Sequence, residues 1–216
     1  MSWFEWLIIG SIALLAGAAI GAWRQSGGHY WSKHVLSGRK RSDRKAPVVP
    51  KATVVTRQPL AQRYGTQESA PPLAGVITRF RFLESLEREW RRSSYTGIHF
   101  CLAMLDLDRF KQLNDRRGRA ECDKVLTAVA ALLSARSRES NIVARYGGDE
   151  FAILLPGAST LQAEILAERL RTAFEADNFL RLHEVMVSIG IAAFPDHGGT
   201  AEEMLKVADS GVRLAR

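Results

Sequence analysis

Four carboxylates set in two close pairs, Asp106 with Asp108 and Asp149 with Glu150, are the residues of this 216-residue chain whose types and spacing suit chemistry. Acids gathered on one rim repel one another unless something positive sits among them. Hard divalent cations with oxygen ligands are the usual answer, and Mg²⁺ is commonly shared between one or two carboxylates and substrate phosphates. A metal held in this way activates a hydroxyl and stabilises the leaving oxygen of a phosphoryl displacement. An Asp-x-Asp taken alone is most often a strand end whose acids face water. The second pair weakens that plain interpretation, because it follows two glycines, Gly147 and Gly148. Successive glycines suit a tight hairpin with positive φ, and their missing side chains let a bulky ligand lie close to the backbone.

The acids converge only if the elements around them do so. His99–Leu107 is an apolar run of buried-strand type, and residues 120–135 place Val125, Leu126, Val129 and Leu133 on one side of a helix. Ile142–Tyr146 and Glu150–Leu155 read as two short strands around the glycines. Ser159 with Gln162 forms a capping-box pair that opens a helix to about Ala176. Val185–Phe194 is a strand, and Thr200 with Glu203 caps a last helix. Periodic structure begins near Ile77, with Phe80, Leu83, Leu86 and Trp90 at helical spacing. The order β-α-β-β-α-β with flanking helices predicts an α+β, ferredoxin-like sheet of the cyclase-palm type. In such a sheet the first and third strands are antiparallel neighbours. The exit carrying Asp106 and Asp108 then meets the turn and strand start carrying Asp149 and Glu150, although about 40 positions separate them in sequence.

The first 71 residues have another character. Trp3 to Trp23 is apolar except for Glu5, long enough for one transmembrane helix over residues 1–23, with a Trp near each end as in interfacial belts. Gly17 and Gly21 form a small-xxx-small pair of the kind that lets membrane helices approach closely. No Lys or Arg precedes Arg24, which disfavours a cleaved leader. Residues 24–66 carry ten bases against Asp43, whereas residues 67–216 carry 20 bases against 21 acids. Bases that follow the apolar stretch predict a cytoplasmic C-terminal domain by the positive-inside rule. This gives a single-pass protein of the bacterial inner (cytoplasmic) membrane, with residues 24–71 as a flexible basic linker rich in Pro, Gly and Ser. The net charge of +7 thus belongs to the linker. A nucleic-acid partner would call for a basic face on the fold itself, so none is expected. Cys101 and Cys122 offer neither a disulfide framework nor zinc spacing.

Three ordered motifs then make residues 72–216 resemble a GGDEF-domain diguanylate cyclase. They are RYGGDEFAILLP at 145–156, LDLDRFKQLND at 105–115 and GIAAFPDHGGTAEEMLKVAD at 190–209. The resemblance implies that two GTP molecules, one on each domain of a homodimer, condense into cyclic di-GMP with loss of two pyrophosphates. It implies a Mg²⁺ (or Mn²⁺) cofactor on Asp106, Asp149, Glu150 and the Leu107 carbonyl, with Glu150 also a candidate to take the proton from the attacking hydroxyl. By the same resemblance Asn114 and Asp123 read the guanine edge, Lys111 and Arg216 hold phosphates, and Gly147 and Gly148 leave room for the nucleotide.

The sequence departs from the family pattern at several points. Cys122 stands where a glycine usually precedes the guanine-reading acid, and its side chain is expected to crowd the base. Arg119 replaces a His, Arg213 replaces an aromatic residue, and the usual DxLTGLxNR opening is eroded at Pro71–Arg79. The RxxD of the product-inhibition site reads Arg138 to Asn141, so feedback by product is expected to be weakened. These departures keep a rival in view: a catalytically weak GGDEF domain acting as a nucleotide-sensing or protein-interaction module.

Overall fold

Alternating and continuous apolar runs favour strands, and 3.6-residue periodicity favours helices, in a chain whose computed structural model describes residues 58–64 and 72–216. The elements in chain order are α1 (Leu60–Tyr64), β1 (Ile77–Thr78), α2 (Arg79–Thr96), β2 (Phe100–Leu107), α3 (Phe110–Arg117), α4 (Arg119–Arg136), β3 (Ile142–Arg145), β4 (Glu150–Pro156), α5 (Thr160–Ala176), α6 (Asn178–Leu182), β5 (Val187–Phe194) and α7 (Ala201–Ala215). The strands lie side by side as β1-β3-β4-β2-β5. β2 runs antiparallel to both β4 and β5, β3 is antiparallel to β4, and β1 is parallel to β3. From β2 onward this is the expected βαββαβ order, with β1 as an additional edge strand.

Every residue of β2 is buried, because both faces of the sheet are covered. Cys101, Ala103, Leu105 and Leu107 point into a core shared with α4 and α5. Phe100, Leu102 and Met104 point into a second core shared with α2 and α7. Burying one such Leu contributes about 1.5–3 kcal/mol. On the second face small residues let α7 come close: a Cβ at Gly190 would lie 2.0 Å from the Ala208 carbonyl oxygen and 2.4 Å from the Val212 nitrogen. Both expected capping boxes are formed, Ser159 with Gln162 and Thr200 with Glu203.

Two elements are added to the expected order, and two local expectations are corrected. The expected helix over 120–135 is present as α4, and α3 precedes it as an added element, separated from it by Gly118 at φ 80°. α6 was not legible as an element of its own; the Asp177 side chain caps it, accepting from the Phe179 and Leu180 amides. Phe80 is exposed on α2, and Phe82 takes the core position instead. The linker contains α1, whose Leu60 and Ala61 are buried against the α2–α7 core and whose Arg63 and Tyr64 both donate to Glu202 at 2.8 and 3.0 Å. This helix belongs to the same compact unit as the sheet. The apolar stretch Trp3–Trp23 and its Gly17–Gly21 pair lie outside the described residues; among the described residues no helix is long and apolar enough to cross a membrane.

Candidate active site

Antiparallel pairing brings the two acid pairs together. In the β2–β4 register Asp106 is directly opposite Glu150. The Leu107 amide donates to the Asp149 carbonyl oxygen at 3.2 Å, which ties the end of β2 to the hairpin. Strand alternation puts Asp106 and Glu150 on the α2–α7 side of the sheet, since Met104 and Ala152, two residues away on each strand, both face that core. Beyond β2, Asp108 is pinned twice: its amide donates to the Met186 carbonyl at 3.0 Å, and its carboxylate accepts from the Ser188 hydroxyl at 2.7 Å. Arg109 then turns the chain into α3 through a left-handed φ of 56°.

The hairpin between β3 and β4 is Tyr146-Gly147-Gly148-Asp149. The Glu150 carbonyl accepts from the amides of Tyr146 and Gly147 at 2.8 and 3.1 Å. The expected positive φ is absent at both glycines; among the described residues the glycines with positive φ are Gly75, Gly97, Gly118 and Gly157. Close approach is the reason for Gly147, where a Cβ would stand 2.4 Å from Glu150 Oε2. A Cβ at Gly148 would meet nothing within 4 Å. The buried Arg145 holds the turn from below by donating from Nη2 to the Gly148 carbonyl at 2.8 Å. Sequence reasoning gave Arg145 no role, because only the folded turn brings its guanidinium back under Gly148.

The electrostatics of the cluster call for a cation. Burial pushes the Glu150 carboxyl above the usual carboxylate range; Asp106, Asp149 and Asp209 push the same way, and Arg79 opposes them. Burial also raises Asp106, with Asp149 and Asp108 adding to the shift and Arg216 working against it. Arg216, at the end of α7, forms an ion pair with Asp106 Oδ1. Arg79 lies over the Tyr146 ring at 4.4 Å from its centroid. Carboxylates that raise one another fit a hard divalent ion in donor type and charge. Among the described residues no three His, Cys, Asp or Glu side chains form a ready-made metal cage. Mg²⁺ needs none, since it takes its remaining ligands from water and substrate phosphates.

Three of the residues expected to bind substrate lie on α3 and α4, the two helices that follow β2. Lys111 and Asn114 are exposed and lie one helical turn apart on α3. Asp123 is exposed at the start of the second turn of α4 and, with Asp149, counters the loss of charge that burial favours at Arg145. Cys122 corrects an expectation: its side chain is 3% exposed and packs in the core with residues such as Leu113 and Val125, so it is turned inward and not toward a base. At 100° per residue, adjacent helix positions point to different sides. Arg138 and Asn141 face one another across the turn between α4 and β3, where the Asn141 amide donates to the Arg138 carbonyl at 2.9 Å. A groove of about 720 Å³ lies behind α3, lined by Phe110, Gln112, His183 and Met186 among others, and not by the carboxylate hairpin.

Comparison with known proteins agrees with this geometry. The family model described as diguanylate cyclase, GGDEF domain, matches residues 71–216. The chain is 38% identical over 148 residues to the diguanylate cyclase DgcP of Pseudomonas aeruginosa, covering 67% of this chain and 22% of that protein. It is 32% identical over 149 residues to the response regulator PleD of Caulobacter vibrioides, covering 67% of this chain and 33% of that one. The chain therefore spans only a minor part of these relatives. Among solved structures, the GGDEF domain of TpbB (YfiN) from Pseudomonas aeruginosa superposes with a TM-score of 0.60 at 35% identity, over 65% of this chain and 89% of that domain. The GGDEF domain of DgcB from Caulobacter crescentus, solved in complex with c-di-GMP, gives 0.60 at 25% identity, over 68% and 88%.

Proposed function

Because the chain belongs to the GGDEF-domain family of diguanylate cyclases, we propose that it joins two GTP molecules into cyclic di-GMP and releases two pyrophosphates. The observation that carries this reading is the pairing of Asp106 with Glu150 across β2 and β4, with Asp149 tied to Leu107 beside them. Each 3′-hydroxyl oxygen forms a bond to the α-phosphorus of the other GTP, the bond from that phosphorus to the bridging oxygen breaks, and pyrophosphate departs with the electron pair. Glu150, directly opposite Asp106 across β2 and β4, takes the hydroxyl proton. Asp106, Asp149, Glu150 and the Leu107 carbonyl would hold Mg²⁺ or Mn²⁺, which when bound activates the hydroxyl and offsets charge on the leaving oxygens. Asn114 and Asp123 orient the guanine, while Lys111 and Arg216 carry phosphate charge.

One domain offers one half-site, so the reaction requires a homodimer. The apolar stretch Trp3–Trp23 and the bases that follow it support a single-pass anchor in the inner membrane with the catalytic domain in the cytoplasm. Asn141 in place of an acid beside Arg138 supports weakened product feedback. The inward-facing Cys122 removes one ground for a non-catalytic module. Purified full-length protein incubated with GTP and Mg²⁺ is expected to yield cyclic di-GMP and pyrophosphate. A dimeric sample that binds GTP without turnover would overturn the enzyme reading in favour of nucleotide sensing.

A further inference from the structure

The first turn of α4, which carries Glu121 and ends just before Asp123, lacks a conventional cap. Its N-cap is Gly118, which has no side chain to accept from the free amides of the turn. The turn is held from another element. His183, at the end of α6, is 9% exposed, and its ring nitrogens reach two oxygens. Nδ1 is 2.8 Å from the Phe179 carbonyl, and Nε2 is 3.0 Å from Glu121 Oε1. Both contacts are hydrogen bonds only when each nitrogen carries a proton, and the link to Glu121 is then an ion pair as well. The ring also packs on Phe179, with centroids 4.3 Å apart. Lys124 engages the other Glu121 oxygen at 2.9 Å. Across the groove Arg116 of α3 pairs with Glu184, the residue after His183.

On the α4 helical wheel the buried residues Cys122, Val125, Leu126 and Val129 form the core stripe. Glu121 and Asp123 sit about 200° apart, on opposite edges of that stripe. One edge of the start of α4 is therefore anchored to α6, and the other, one residue past the first turn, presents Asp123 toward Arg145. We propose that His183 and Glu121 are positioning residues for guanine recognition, locking the uncapped first turn of α4 so that the Asp123 carboxylate stands ready for the base. The inference rests on the assignment of Asp123 to the guanine edge. A carboxylate accepts from both the ring N–H and the exocyclic amine of guanine, and inosine lacks the amine. Loss of the lock should therefore weaken GTP more than inosine triphosphate.

The test uses the full-length protein. Binding of a non-hydrolysable GTP analogue is measured together with KM and kcat for GTP and for inosine triphosphate, and with Tm. His183→Ala and Glu121→Ala are expected to weaken GTP binding about tenfold, roughly the value of one positioned hydrogen bond. They should narrow the preference for GTP over inosine triphosphate and leave kcat at saturation within about twofold. Glu121→Gln keeps an acceptor oxygen and is expected to recover most of the affinity. Variants that lose Tm and kcat while KM and base preference stay at wild-type values would reduce the pair to ordinary scaffolding and overturn the proposal. Wild-type protein that binds no guanine nucleotide would instead bring down the assignment of the site, and this inference with it.

Discussion

Gly147→Ala probes how the hairpin sets the catalytic carboxylate. The added Cβ would stand 2.4 Å from Glu150 Oε2, against an ordinary contact of 3.4 Å or more, so something must move by about 1 Å. The atom in the way is the end of a flexible side chain, and Glu150 yields before the backbone does. A shift of its χ angles costs about 0.5–1.5 kcal/mol, so the fold survives with a small fall in Tm. Catalysis is far more sensitive to distance: a displacement of about 1 Å at a positioning group costs on the order of 10²-fold. The expected result is a loss of kcat of about that size in a pyrophosphate-release assay with GTP and Mg²⁺, together with weaker Mn²⁺ binding by electron paramagnetic resonance. Gly148→Ala is the control. Its Cβ would meet no protein atom within 4 Å, so Mn²⁺ affinity should stay near wild type and any loss should appear in KM for the nucleotide. Equal kcat and equal Mn²⁺ affinity in Gly147→Ala and wild type would refute the close-approach argument, as would an unfolded Gly147→Ala protein.

Further outcomes follow from the same geometry. Asp149→Asn and Glu150→Gln are expected to abolish cyclic di-GMP synthesis with an unchanged circular dichroism spectrum; wild-type rates from either would refute the assignment of the acids. Because the folded state raises the Glu150 pKa, its ionised form costs stability above that pKa, and the cost fades as pH falls through it. Glu150→Gln should therefore raise Tm of the metal-free protein at neutral pH, with the gain disappearing on acidification; a gain that grew toward low pH would contradict the sign. Gly190→Ala places a Cβ 2.0 Å from a backbone oxygen of α7, which cannot swing away, so it should cost about 3 kcal/mol by denaturant titration. Specific activity should drop on dilution if the dimer is weak, and activity strictly linear in protein concentration would indicate a stable one.

The apolar run of β2, the motif around Gly147 and the order of elements made the sheet, the antiparallel meeting of Asp106 with Glu150 and both capping boxes legible from sequence, because each rests on a local pattern or on chain order. The helix that carries Asp123 was legible for the same reason, whereas the short α3 with Lys111 and Asn114 was not. Cys122 was misjudged because sequence names the residue before Asp123 but not the rotation of α4, which the packing of Val125, Leu126 and Val129 fixes. The hairpin φ values were misjudged because a Gly-Gly pair fits positive φ and close approach equally well, and only the folded Glu150 side chain decides between them. α1 escaped notice because five residues are too few to show a period; its burial against α2 and α7 holds it. Thus the sequence by itself determined which acids meet and on which sheet, since strand period and pairing direction are properties of the chain. Only the tertiary structure decided what surrounds them, namely Arg145 under the turn, Arg216 on Asp106 and His183 on Glu121, because contacts between residues far apart in the chain arise from packing that no local pattern encodes.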